Sequence, residues 1–174
     1  VSFSTQSISG AGDVEFSGQA DGYFTFRATG PSYTGTLSYT GQTIVSLTGT
    51  ATGANAYKGT LWLEKDNVLP NATVVNLQSG KIYMRRQSGT ATGISVAGLT
   101  GSAGTFISTD QGTTQKWTVT VASGSSYTFA GVVGWDGQSF VTSGSGNNIS
   151  FTKAGAGTQI FTGANTYTGA TTIT

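Results

Sequence analysis

The feature that most constrains this chain is a short turn that recurs between Thr-rich strand patterns. "GANAYKGTLWL" at Gly53 to Leu63 and "GANTYTGATTIT" at Gly163 to Thr174 share Gly-Ala-Asn-x-Tyr-x-Gly, and "GPSYTGTLSY" at Gly30 to Tyr39 is a shorter copy carrying Pro31 and Ser32. A second pattern appears as "ISGAGDVEFSG" at Ile8 to Gly18 and "FTKAGAGTQIFTG" at Phe151 to Gly163. Self-similarity of this kind marks stacked units, none of which can bury its own faces alone. The module reads as a Gly-Ala-Gly turn, a strand, a Gly-Ala-Asn-x-Tyr turn and another strand. Its turn residues are Gly53, Asn55, Tyr57 and Gly59 in one copy and Gly163, Asn165, Tyr167 and Gly169 in the other. Glycine admits positive φ at a corner, and asparagine can hydrogen-bond the turn backbone. The tyrosine would lay its ring across the bend.

Between the turns run short β patterns such as "GTLWLEK", "KIYMRR", "KWTVTVASG" and "YTFAGVV", and no segment holds a helical period. Alternation assigns faces. Leu61 and Leu63 point one way and Thr60, Trp62 and Glu64 the other, while Trp117, Val119 and Val121 oppose Thr118 and Thr120. Trp117, Tyr127 and Phe129 therefore read as core. Solubility without charge fits Thr-rich outer faces: only 9% of residues are charged, against about 25% in ordinary globular chains.

The same composition excludes several functions. A net charge of +1 from scattered residues offers no nucleic-acid groove and no polybasic membrane patch. No apolar run approaches the roughly 18 to 20 residues that span a bilayer, so no membrane insertion of this segment is expected. Without cysteine or histidine there can be no disulfide, no thiolate metal site and no Ser-His-Asp triad. Asp13 with Glu15, and Glu64 with Asp66, are carboxylate pairs at i, i+2 spacing, which reads as solvated strand faces or turns rather than as catalysis or calcium binding. Lys81 with Arg85 and Arg86 reads as a solvated strand edge. No catalytic residue, metal site or cofactor is expected. Among the aromatics, Trp62 faces away from Leu61 and Leu63, and Tyr83 is assigned to the same outer sheet. Both are candidates for stacking on a surface glycan or for covering by a neighbouring chain.

"FTKAGAGTQIFTGANTYTGATTIT" resembles the autotransporter-associated β-strand repeat of bacterial passenger domains, in which Thr-Lys-x-Gly-x-Gly-Thr leads into Gly-x-Asn-Thr-Tyr-Thr-Gly and a Thr-rich strand. Residues 53–84, with Leu69-Pro70 and a later Ser-Gly turn, are similar to the segment that follows that motif. Residues 53–174 then read as one whole repeat and the start of the next, while residues 1–50 lack the lysine of the lead. The resemblance implies a parallel β-helix that is extracellular or displayed on a bacterial cell surface as a stalk or scaffold. It implies no catalytic residues.

The chain is therefore read as all-β, a single parallel β-solenoid over 1–174, with a β-sandwich as the alternative fold. Coils of roughly 20 to 25 residues would give seven to nine levels, near 40 Å of rod at about 4.8 Å each. The leading function is structural; the alternative is an adhesin or carbohydrate-binding module using exposed aromatics. Low-charge strands at both ends, with Val1 and Phe3 at one and Thr171 and Ile173 at the other, predict self-association head to tail.

Overall fold

In the computed structural model, residues 2–3, 6–19, 23–26, 34–49, 59–84, 93–109, 112–134 and 147–174 are described. The turn residues Gly53, Asn55 and Tyr57, the terminal Val1, and Arg85 and Arg86 lie outside them. Among the described residues there are strands and no helix, and every strand pair is parallel.

The strands follow one circuit. It visits a first face, a second and a third, then climbs one level. On the first face lie β1 (Ser2–Phe3), β4 (Tyr23–Phe26), β7 (Thr60–Leu63), β9 (Lys81–Met84), β12 (Phe106–Thr109) and β15 (Val132–Val133), hydrogen-bonded in that order as a six-stranded sheet. The third face is another six-stranded sheet of β3 (Val14–Gln19), β6 (Thr43–Thr48), β8 (Val74–Ser79), β11 (Gly98–Gly101), β14 (Ser126–Phe129) and β17 (Thr158–Phe161). The second face is split into a pair, β2 (Ile8–Gly10) with β5 (Leu37–Tyr39), and a four-stranded sheet of β10 (Gly93–Val96), β13 (Gln115–Thr120), β16 (Ile149–Ala154) and β18 (Thr171–Ile173). This is a parallel β-solenoid, as the repeats predict.

Residues 64–70 bridge the split. Asn67 adopts a left-handed φ of 46°, Asp66 Oδ1 accepts the Gly93 N–H at 2.7 Å, and Asn67 Oδ1 accepts the Ser95 N–H at 3.1 Å. Side-chain oxygens thus stand in for a strand edge beside Pro70, which has no N–H to donate. Val68 and Leu69 remain buried and fill the interior at this level.

Facing residues are 20 apart between β16 and β18 (Phe151 to Thr171) and 37 apart between β4 and β7 (Tyr23 to Thr60). The expected coil of 20 to 25 residues is corrected accordingly. The described strands make six complete levels, about 29 Å of rod, with part of a seventh above them on two faces.

Each interior column is a vertical run of like side chains. Leu61, Ile82, Ile107 and Val133 stack on the first face, Ile94, Trp117 and Phe151 on the second, and Phe16, Val45 and Leu77 on the third. All are buried. Size is matched between levels: a Cβ on Gly101 would lie 2.6 Å from the Phe129 ring above it, so the glycine makes room for the aromatic.

Candidate functional site

Two kinds of place could carry function: the repeated corner, and the surfaces the stack leaves open. The corner is complete at residues 163–171. Asn165 Oδ1 accepts the Val133 N–H of the level below at 2.8 Å, and its Nδ2 donates to Gly163 O at 3.1 Å. The asparagine therefore holds its own turn and ties two levels together, without adopting the left-handed φ that it tolerates. Tyr167 packs partly buried against the core, and its hydroxyl lies 2.8 Å from Thr171 Oγ1. Thr166 N donates to Val133 O and Gly169 N to Ile149 O, both at 3.0 Å, so residues 163–169 already form a seventh level over β15 and the start of β16.

Gly163 and Gly169 are corner residues for a different reason from the one glycine suggests. Neither has positive φ. A Cβ on Gly169 would stand 2.5 Å from Ile149 O, and one on Gly163 would be driven into the Gly131 carbonyl. The requirement is close approach of two backbones. Gly59, in the other copy, does have positive φ, at 66°.

The lysine of the "FTKAGAG" lead has a role visible in the structure: Lys153 Nζ donates to Gly155 O and caps the corner that follows. Sequence reading missed a further corner of the same kind. Tyr39-Thr40-Gly41-Gln42-Thr43 repeats Tyr167-Thr168-Gly169-Ala170-Thr171, and Tyr39 Oη lies 2.5 Å from Thr43 Oγ1, four residues on in both cases. The signal was the Tyr-Thr-Gly-x-Thr spacing. The two corners occupy different vertices, one turning from the second face to the third, the other from the first to the second. In the lower one, Thr43 Oγ1 lies 3.0 Å from Thr73 Oγ1, which donates to Gly41 O at 2.8 Å, an internal chain of buried hydroxyls.

The aromatic surface expected around Trp62 is corrected. Trp62 is 5% exposed and Tyr83 1%, with ring centroids 6.3 Å apart on adjacent strands. Every residue of β7 and β9 is buried, Lys81 included, so the first face is covered on both sides through its middle. Alternation separates two sides of a strand; it does not reveal whether the second side meets water. Lys81 sits between Thr60 and Phe106 inside the sheet, not at an edge.

The carboxylate pairs separate as well. Asp13 Oδ1 accepts the Gln42 N–H at 2.7 Å and Asp66 the Gly93 N–H, so each secures the level above, whereas Glu15 is exposed and Glu64 is buried. Among the described residues no group of three or more acidic side chains is placed to hold a metal ion. Trp117 is fully buried as predicted, and its Nε1 has no partner among the described residues.

The residues proposed for a subunit joint lie at opposite ends. Phe3 is on β1, paired with Phe26 at the first level. Thr171 and Ile173 are on β18 at the last, where Ile173 is 78% exposed. Beside them is a cavity of about 310 Å³ lined by Phe151, Lys153, Gln159, Phe161, Tyr167 and Ile173 among others.

Comparison with known proteins finds one family match: residues 151–174 fit the passenger-associated-transport-repeat. No curated protein and no solved structure matches the chain.

Proposed function

Since the chain carries an autotransporter passenger repeat at residues 151–174, we propose that it is a rod-like scaffold, a stalk that works outside a bacterial cell and joins end to end with like units. A repeat of this family implies secretion or surface display. The observation that carries the stalk reading is the parallel strand stacking that two of the three faces keep through six levels. Two six-stranded sheets run the length of the described chain, with corners tied from level to level by Asn165, Asp13 and Asp66. Load on such a stack is shared by many backbone hydrogen bonds, each contributing about 1 kcal/mol net, so stiffness belongs to the repeat rather than to any one contact. Burial of Trp62 and Tyr83 removes the aromatic platform that favoured a carbohydrate-binding module.

Pulling the chain between tags at its two ends tests this. A stalk yields level by level, in extension steps of about 70 to 130 Å for coils of these lengths. A single low-force rupture with no steps would count against a mechanical role. Joining end to end is tested separately by negative-stain microscopy at micromolar concentration. Filaments are expected, and their loss when Thr168 to Thr174 are deleted; uniform monodisperse particles would refute it.

A further inference from the structure

Between its second and third levels the stack is joined differently from elsewhere. From the first level to the sixth, every other pair of adjacent levels carries backbone hydrogen bonds on all three faces among the described residues, the bridge at 64–70 included, where Asn67 N donates to Gly93 O at 2.8 Å. Between levels two and three the second face has none among the described residues: β5 pairs with β2 below it and with no strand above. A cavity of about 140 Å³ opens there instead, lined by Gly35, Thr36 and Leu37 below and by Lys65, Asn67 and Val68 above. The third face is also imperfect at this junction. β6 and β8 run in register from Thr43 to Val45 and then shift, so that Ser46 faces Ser79. Beside the shift a second cavity, of about 300 Å³, is lined by Leu47, Thr48, Ser79 and Gly80 among others.

The first face crosses the same junction without a fault. Tyr23, Phe24, Thr25 and Phe26 of β4 face Thr60, Leu61, Trp62 and Leu63 of β7 in a single register. One further tie stands at the vertex between the second and third faces. Thr73 Oγ1, from level three, donates to Gly41 O at 2.8 Å and lies 3.0 Å from Thr43 Oγ1, both partners belonging to level two. Thr73 and Thr43 are fully buried, so no water competes for these bonds. A continuous ladder on one face, a gap on the next and a pinned vertex beyond the gap are the parts of a hinge with a latch.

From this arrangement we propose that the rod bends at one internal joint: levels one and two turn as a body on level three, about the first face, and Thr73 is the latch that holds the other two faces shut. Rotation opens the second face first, where no backbone hydrogen bond has to break, and then the shifted ladder of the third. Val68 and Leu69, buried behind the bridge, would meet water in the open state, and their burial returns the joint to its closed one. The joint gives the rod a single plane of bending. It follows from the fold alone and does not rest on the stalk reading.

Amide exchange of the ¹⁵N-labelled full chain reads the joint directly. By the alternation of a parallel ladder, the N–H of Val45 crosses the joint on the third face and that of Trp62 crosses it on the first, while that of Ile44 turns back to β3. Val45 is expected to exchange about tenfold faster than Trp62, and faster than Ile44, whereas fraying from the end of the stack would release Ile44 first. Thr73→Val is expected to speed Val45 by about a further tenfold and to leave Trp62 and Ile44 unchanged. Thr73→Ser, which keeps the hydroxyl, should match the parent chain. Val45 as protected as Trp62 in the parent chain, or a Thr73→Val variant that speeds all three amides alike or none of them, overturns the hinge. The parent-chain comparison decides the matter even where Thr73→Val fails to fold, and neither result bears on the stepwise extension of the rod under load.

Discussion

Close backbone approach sets the cost of change at the corners. Replacing Gly169 with valine is expected to lower stability by more than about 1 kcal/mol, because its Cβ would collide with the Ile149 carbonyl. Gly163→Val is expected to behave alike. By contrast, Gly112 has an ordinary φ and nothing within 4 Å of an added Cβ, so Gly112→Ala should be near neutral; thermal melts of the three variants make the comparison. Asn165→Ala should cost about 1 to 2 kcal/mol, since the Val133 N–H loses its acceptor between two levels. If that variant melts like the parent chain, the asparagine does not tie the levels.

Strands in the middle of the stack have partners on both sides, and those at the ends have one. β8 lies between β6 and β11, whereas among the described residues β18 pairs only with β16 and is exposed along its whole length. Amide exchange should therefore be slowest in β8 and β11 and fastest in β18, with β17 between them because Gln159 also anchors to Leu99 through hydrogen bonds of 2.8 and 3.1 Å. Uniform exchange across all levels would mean the stack opens only as a whole.

At the scale of the molecule, a one-dimensional stack transmits damage unevenly. Leu77→Ala removes a fully buried side chain between Val45 and Gly101 and should cost about 2 to 5 kcal/mol. Phe161→Ala, at the half-buried last level, should cost less and loosen only that level. Denaturant titrations followed at several probes distinguish the two: Leu77→Ala shifts every probe, Phe161→Ala mainly those near the C-terminal end. A larger, global loss from Phe161→Ala would show that the last coil nucleates the rest.

Much of this architecture could be read locally. Gly-Ala-Gly marks corners through the backbone freedom of its first glycine, and Gly-Ala-Asn-x-Tyr-x-Gly through close backbone approach and the short reach of asparagine. Period-2 runs dictate strands, and repetition dictates stacking, so the all-β solenoid was legible before any coordinate. Which vertex a corner serves was not, because Tyr39 and Tyr167 build the same local bend at different turns of the circuit. Nor was the number of levels, since the spacing between facing residues varies from 20 to 37 along the chain. The burial of Trp62, Tyr83 and Lys81 was equally hidden: alternation is a property of one strand, whereas cover on its second side depends on segments brought there from elsewhere in the chain.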